Sequence, residues 1–188
     1  MDNASVILRT LDEHLDHAVR LVLYGRAALQ LGFEDPPSDV AYSKDVDCII
    51  PSSDLNSLSA DSGFWDAQEA TNAKLRPAGL YITHLFPAHE VFLRRNWEAH
   101  LVPIARSFSH LRLFRPATVD LILTKMMRGD DAQDMADAAF LIRHDKITTV
   151  QLEEAFATIV IPDLVELRDA FVRAKPIVLK LAKEVSAT

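Results

Sequence analysis

The sequence predicts an α+β fold, in which a front half of mixed strands and helices is followed by a helical back half. Two short, mainly apolar runs indicate buried strands: residues 21–24, which stop at Gly25, and residues 45–50, which stop at Pro51. Apolar residues at helical spacing between residues 4 and 18 indicate an amphipathic helix, and helical patterns dominate from Thr118 onward. A two-layer domain with helices packed on a sheet fits this order best, and it leaves open which strands are parallel.

The composition is that of an ordinary globular chain, with 188 residues of which 49% are hydrophobic and 25% charged. Such a length fits one domain with a small appendage, here an α+β core over residues 1–116 and a helical region over 117–188 packed on it. The net charge of −7 does not suggest a protein that coats nucleic acid. The lone Cys48 excludes an intramolecular disulfide framework. Without a signal-peptide pattern or a long apolar run, the expected location is cytoplasmic, with no membrane contact.

Glycine and proline residues divide the front half into elements. At Gly25 the first strand is expected to turn into a helix over residues 26–31, and Gly32 is expected to cap that helix. A loop over residues 33–43 then leads into the second strand. The remaining expected elements are helices up to residue 60 and over 66–75, and strands at 80–86, 90–93, 101–104 and 111–114, of which 90–93 returns from 80–86 as a hairpin.

The back half is expected to contain four helices. Thr118 is a candidate cap for the first, and Asp131 or the residue before it starts the second. Thr148 and Gln151 have the spacing of a capping box at the start of the third. The fourth contains Pro176, where we expect a kink or a restart.

Two carboxylates stand at the beginning of the second strand. Because side chains alternate along a strand, Asp45 and Asp47 are expected to lie on one face. Two carboxylates held side by side repel each other unless a cation lies between them. Next to a glycine turn, the pair is therefore a candidate site for Mg²⁺ and phosphate, with a solvated strand face as the alternative.

Two segments resemble the signature of the DNA polymerase β-like minimal nucleotidyltransferase superfamily. The first comprises the run GRAAL, which begins at Gly25, and the run SKDVD, which ends at Asp47. The second comprises the run TVDLILTK, which ends at Lys125, the pair RG, which begins at Arg128, and the run DMAD, which begins at Asp134. The second segment resembles the small bacterial branch that contains AbiEii-type toxin nucleotidyltransferases and the related DUF6036 family. Together the similarity covers roughly residues 5–145.

The resemblance implies a site for a nucleoside triphosphate (NTP) and Mg²⁺ in the first segment. In the superfamily, the strand–turn–helix after the glycine contacts the triphosphate, and the acidic pair binds the metal. This assigns Gly25, Arg26 and Ser43 to nucleotide binding, and Asp45 and Asp47 to metal binding and catalysis. Chemically this is reasonable, because helix N-termini attract phosphate and Mg²⁺ offsets charge during phosphoryl transfer.

The same resemblance gives roles to residues in the second segment. Lys125 matches the family's helix lysine, a catalytic residue that also supports the triphosphate, and Asp134 matches a nucleotide-binding aspartate. Asp137 follows one helical turn later. Replacing Lys125 by alanine is then expected to weaken NTP binding more than folding. The alternatives are a lysine whose apolar stem covers the helix surface, and aspartates that cap or face solvent.

Two departures from the family pattern affect the expected chemistry. Arg26 stands where the family has a small residue, so either the turn is bulkier or the arginine itself holds phosphate. No carboxylate matches the family's third metal ligand; the strand at 80–86 offers His84, and Glu90 is the nearest acid downstream. If that strand lies beside the one carrying Asp45, His84 is expected to face the acidic pair. The site would then hold one Mg²⁺ tightly, with slow turnover or with His84 as the acceptor's base.

The expected function is Mg²⁺-dependent transfer of a nucleoside monophosphate from an NTP to an acceptor hydroxyl, with pyrophosphate released. The acceptor could be a tRNA end, a protein side chain or a small molecule, and a toxin-like member would have an antitoxin as partner. The alternative is a degenerate, non-catalytic member of the same fold that binds a nucleotide or a partner protein.

Overall fold

Helices pack with a mixed parallel and antiparallel sheet and are followed by C-terminal helices, so the predicted α+β class is confirmed. The computed structural model describes residues 2–186, except for the side chains of His84 and Ser186. The chain divides into two units, Met1–Pro87 with Val102–Arg115, and Ala88–Leu101 with Pro116–Thr188. The division after residue 115 lies one residue from the predicted boundary, but residues 88–101 group with the helical unit rather than with the core.

The helices and strands are numbered in chain order. The helices are α1 (Asn3–His14), α2 (Gly25–Gly32), α3 (Leu55–Ser59), α4 (Ser62–Leu75), α5 (Thr118–Lys125), α6 (Ala132–Asp145), α7 (Thr149–Thr158) and α8 (Val165–Ser186). The strands are β1 (Val19–Tyr24), β2 (Asp45–Ile50), β3 (Tyr81–Pro87), β4 (Leu93–Arg94), β5 (Val102–Pro103), β6 (Leu111–Arg115) and β7 (Ile159–Val160). None of the helices in this described part of the chain combines the length and apolar character that a membrane span needs.

The first unit contains a five-stranded sheet in the order β3-β2-β1-β6-β5. Its central strand, β1, is antiparallel to β2 and parallel to β6, while β2 and β3 run parallel to each other. The second strand has the predicted bounds, and the strand predicted at 80–86 lies beside it as expected. These neighbours place the beginning of β2 next to the end of β1, where the candidate site lies.

The first helix is shorter than predicted. Helix α1 begins after the cap Asp2, whose carboxylate accepts a hydrogen bond from the Ser5 backbone N–H at 2.8 Å. It ends at His14, because Leu15 adopts an extended backbone conformation (φ −85°, ψ 142°) and buries its side chain. The predicted pattern continued to residue 18, since the apolar Leu15 also fits helical spacing.

The expected hairpin from β3 is wrong. Strand β4 pairs antiparallel with β7, through Leu93 opposite Val160, in the second unit. Arg94 is held there by the fully buried Asp120, whose carboxylate accepts hydrogen bonds from the Arg94 backbone N–H at 3.1 Å and from its Nη2 at 2.7 Å. Such a partner, far along the chain, leaves no local signal in the apolar run that predicted the hairpin.

Two expected helix caps are also wrong. Gly32 does not have a positive φ and stays within α2, whose C-cap is the extended Phe33. A Cβ at Gly32 would lie 2.5 Å from Arg115 Cδ, so close packing of Arg115 explains the glycine. Ala117 is the N-cap of α5, and the Thr118 hydroxyl donates its hydrogen bond to Asp145 instead.

The helical unit follows its predicted pattern more closely. The Asp131 carboxylate caps α6 by accepting from the backbone N–H of Asp134 at 3.0 Å, and Thr148 and Gln151 form the capping box of α7. Helix α8 runs continuously through Pro176 rather than restarting there. These three helices supply most of the secondary structure of the second unit.

A histidine in the first unit makes stability depend on pH. His17 Nδ1 lies 2.7 Å from Asp16 Oδ1, and its Nε2 lies 2.7 Å from Asp61 Oδ2, the carboxylate that caps α4. Hydrogen bonds from His17 to these carboxylates raise its pKa. Because the pKa of His17 is higher in the folded state than in the unfolded state, its protonation stabilises the fold. This contribution is fully present below the unfolded-state pKa of about 6.5, and it is lost as pH rises through the folded-state pKa.

We therefore expect the melting temperature to fall as pH rises above neutrality, and the variant His17→Gln to flatten that part of the profile. Thermal unfolding followed by circular dichroism over a pH series measures this slope. His89→Gln is the control, because His89 is exposed and forms no hydrogen bond or ion pair within residues 2–186. Equal slopes in the wild type and His17→Gln would contradict the assignment.

Candidate functional site

The candidate site begins at the turn between β1 and α2. Gly25 has a φ of +62°, in the left-handed region that residues with a Cβ avoid. A Cβ added there would lie 3.1 Å from Asp47 Oδ2. The antiparallel register explains this proximity, because Tyr24 at the end of β1 lies opposite Asp47. The glycine thus allows both the turn and the close approach of the carboxylate.

Asp45 and Asp47 alternate with buried residues along β2. Val46 and Cys48 point into the core, and both aspartates are partly exposed, as expected for residues that share a strand face. The Ser43 hydroxyl donates a hydrogen bond to Asp45 Oδ1 at 3.0 Å. Burial, and then the charge of Asp47, raises the pKa of the Cys48 thiol, so this cysteine stays protonated.

Sequence reasoning missed Thr83, a neighbour of the acidic pair. Strand β3 has a bulge here: Val46 lies opposite Ile82, and Cys48 lies opposite Leu85. Asp47 therefore faces an irregular part of β3, where the Thr83 hydroxyl is hydrogen-bonded to Asp47 Oδ1. Bulges re-aim side chains and are frequent beside active sites. No local pattern in the sequence predicts this bulge.

The acidic pair is suited to one hydrated Mg²⁺. Within the described residues, no group of three or more His, Cys, Asp or Glu side chains could hold a metal ion. Mg²⁺ commonly keeps several waters and uses only one or two protein carboxylates together with substrate phosphates. Asp45 and Asp47 fit that donor set. The expected orientation of His84 concerns a side chain outside those that the structure describes.

Arg26 is tied to the loop that precedes the acidic pair. Its Nη2 forms an ion pair with Asp39 Oδ2, and Asp39 lies on the 3₁₀ turn Ser38–Tyr42. The hydrogen bond from Arg26 holds the pKa of Asp39 below its usual range. Since Ser43 follows this turn directly, the ion pair anchors the segment that leads into β2.

The residues implied in the second unit form a buried ion-pair cluster. Lys125 is only 5% exposed, and its Nζ donates to Asp137 Oδ2 at 2.7 Å and to Asp134 Oδ1 at 3.3 Å. Arg128 Nε donates to Asp134 Oδ2 at 2.6 Å, and this hydrogen bond raises the pKa of Arg128. The structure thus brings Lys125 and Asp134 together, as it brings Gly25 and Asp47 together in the first unit.

Comparisons of the chain with protein-family models, with curated proteins and with solved structures find no match.

Proposed function

We propose that the protein is a cytoplasmic, Mg²⁺-dependent nucleotidyltransferase that transfers a nucleoside monophosphate from an NTP to an acceptor hydroxyl and releases pyrophosphate. One observation carries the proposal: the Asp47 carboxylate lies against the left-handed turn at Gly25, with Asp45 on the same strand face. A phosphate-binding turn and a metal-binding acidic pair are the two parts that such a reaction needs close together.

The turn at Gly25 supplies the phosphate side of the proposed site. It opens α2, an eight-residue helix whose N-cap residue, Tyr24, makes no side-chain capping hydrogen bond. Backbone N–H groups of a first helical turn attract anions, and a glycine lets the triphosphate approach the backbone. In this proposal Arg26 adds a positive charge beside the same turn.

The acidic pair supplies the metal side. Asp45 and Asp47 would hold Mg²⁺, which would offset the negative charge that develops during phosphoryl transfer. Ser43 and Thr83 orient the two carboxylates through their hydroxyl groups. Carboxylates that are already held in place lose little conformational entropy when they bind a ligand. Their fixed orientation therefore favours binding of Mg²⁺ in the geometry that the reaction needs.

Lys125 and Asp134, to which the resemblance assigns nucleotide binding, are held in buried ion pairs within the second unit, so the proposed site rests on the residues of the first unit. The proposed acceptor is a hydroxyl of a tRNA end, a protein side chain or a small molecule. A net charge of −7 favours an acceptor that needs only local contacts over a long nucleic acid. If the protein is toxin-like, its partner would be an antitoxin.

A second candidate is a non-catalytic nucleotide-binding protein. The observation that favours it is the donor set, because the described residues offer two carboxylates and no third acidic ligand near them. Two-metal transfer chemistry holds both the attacking and the leaving oxygen, and it needs more negative charge than one pair supplies. Turnover, rather than binding, separates the two candidates.

We expect the wild type to bind an NTP only with Mg²⁺ present, and Asp45→Asn and Asp47→Asn each to weaken binding at least about tenfold. Titration calorimetry measures the affinity, and pyrophosphate release measures turnover. Asp66→Asn is the matched control, since Asp66 is an exposed carboxylate on α4 in the same unit. Equal affinities in all three variants would refute the site, while binding without pyrophosphate release would select the non-catalytic candidate.

A further inference from the structure

Strand β3 carries an exposed aromatic side chain beside the acidic pair. Tyr81, the first residue of β3, is 42% exposed. It lies opposite Asp45 in the parallel register of β2 and β3. Residues at the same level on neighbouring strands of a pleated sheet point to the same side, and the strands are about 5 Å apart. Tyr81 therefore lies next to Asp45 on the sheet face that also carries Asp47.

The side chain of Tyr81 makes no ring contact, cation contact or hydrogen bond with the side chains that the structure describes. Other rings of the first unit are engaged. Tyr24 packs edge-on against Phe86 with ring centroids 5.9 Å apart, and Phe114 lies under the Arg20 guanidinium at 6.0 Å. An exposed aromatic residue is by itself ordinary on a strand. Beside two carboxylates and a glycine turn, however, this ring offers an open π face to a ligand of the same site.

The backbone around Tyr81 is held from both sides. Its N–H donates to the Lys44 carbonyl at 3.1 Å. The N–H of the next residue, Ile82, donates to Asn72 Oδ1 at 2.7 Å, and the Ile82 carbonyl accepts from Asn72 Nδ2 at 3.1 Å. Asn72 thus satisfies hydrogen-bonding groups at the free edge of the sheet, where β3 is the outermost strand. A ring on a backbone that is already ordered costs little entropy when a ligand packs on it.

The parts of the proposed site follow one another across the sheet. The turn at Gly25 continues from the end of β1, the acidic pair lies on β2, and Tyr81 lies on β3. The strands β1 and β3 are therefore about 10 Å apart, with the acidic pair between them. A triphosphate that extends from Gly25 over a metal on the acidic pair has its nucleoside on the β3 side.

We propose that Tyr81 stacks on the base of the NTP whose phosphates and Mg²⁺ bind at Gly25, Asp45 and Asp47. The stacking rests on the proposed nucleotidyltransferase function, because it concerns the same site. An aromatic ring accepts any base, since every base has a π face. The site therefore takes NTPs as a class, with little preference among the four bases.

The first test compares two probes by titration calorimetry with Mg²⁺: a non-hydrolysable ATP analogue, and inorganic tripolyphosphate, which has no base. Tyr81→Leu should weaken binding of the analogue at least about fivefold, because leucine is apolar but cannot stack. Its affinity for tripolyphosphate should stay within about twofold of the wild type, which also verifies that the phosphate and metal site is folded. Tyr81→Phe is the matched control, since it keeps the ring, and it should bind both probes like the wild type.

The second test extends the series to the corresponding analogues of GTP, CTP and UTP. The four affinities of the wild type should lie within about tenfold of one another, and Tyr81→Leu should lower all four.

Three outcomes would overturn the stacking while the wild type still binds both probes, so that the proposed function stands. One is a Tyr81→Leu variant that binds the ATP analogue as tightly as the wild type. Another is an equal loss for the analogue and for tripolyphosphate, which would make the role of Tyr81 structural. The third is an analogue bound at least about a hundredfold more tightly than the others, with a preference that Tyr81→Leu retains. A wild type that binds neither probe would overturn the proposed function and the stacking together.

Discussion

Replacing Lys125 by methionine is expected to lower the free energy of unfolding of the second unit by about 3–5 kcal/mol. The ammonium is buried and donates to Asp137 at 2.7 Å and to Asp134 at 3.3 Å. Without it, the buried carboxylates of Asp134 and Asp137 lose a shared positive charge, while Asp134 keeps its ion pair with Arg128. Urea unfolding followed by circular dichroism measures the loss.

A double variant that removes a carboxylate together with Lys125 separates two causes of the stability loss, the missing lysine side chain and the uncompensated negative charge. In Lys125→Met/Asp137→Leu the buried carboxylate of the cluster that remains, Asp134, is still paired with Arg128, so part of the lost stability should return. Lys183→Met is the control, since Lys183 is an exposed helix lysine on α8. A Lys125→Met protein as stable as this control would show that the cluster contributes nothing. Comparing the NTP affinity of the wild type with that of the folded double variant tests whether Lys125 contributes to NTP binding.

Gly25→Ala is expected to lower the free energy of unfolding by about 1–2 kcal/mol, because a residue with a Cβ is strained at a φ of +62°. The new methyl group would also meet Asp47 Oδ2 at 3.1 Å, and the carboxylate must shift by a few tenths of an ångström to relieve the contact. If Asp47 holds Mg²⁺, this shift should weaken Mg²⁺-dependent NTP binding at least about tenfold, measured by calorimetry.

Gly79→Ala is a matched control for that variant. Gly79 has a φ of +68°, so its backbone cost is similar, but a Cβ there would meet no heavy atom within 4 Å. We expect both variants to lose similar stability and only Gly25→Ala to lose NTP affinity. Equal affinity losses in the two variants would mean that global stability, and not the position of Asp47, controls binding.

Features set by neighbours in sequence were predictable. The alternation of residues along β2 is enough to predict that Asp45 and Asp47 share one face, because the period of a strand is two residues. The capping box of Thr148 and Gln151 was equally predictable, because the residues that form it lie within one stretch of four. The expected proximity of Gly25 to the acidic pair agrees with the register of β1 and β2.

Features set by distant partners were not predictable. Gly32 was interpreted as a helix cap, yet it makes room for Arg115, a residue 83 positions later. Thr83 reaches Asp47 only because β3 bulges, and a bulge changes the register without a local signature. The ion pair of Arg26 with Asp39 likewise depends on how the intervening loop folds. In each case the deciding contact is tertiary.

The second unit is assembled from two separate stretches of chain, and this affects the order in which it can form during translation. Residues 88–101 leave the ribosome well before residues 116–188, with which they fold. Until those helices are made, Phe92, which is buried in the finished protein and packs edge-on against Phe171 of α8, lacks part of the surface that covers it. A nascent chain halted near residue 116 would therefore display apolar side chains, which is the kind of segment that chaperones bind.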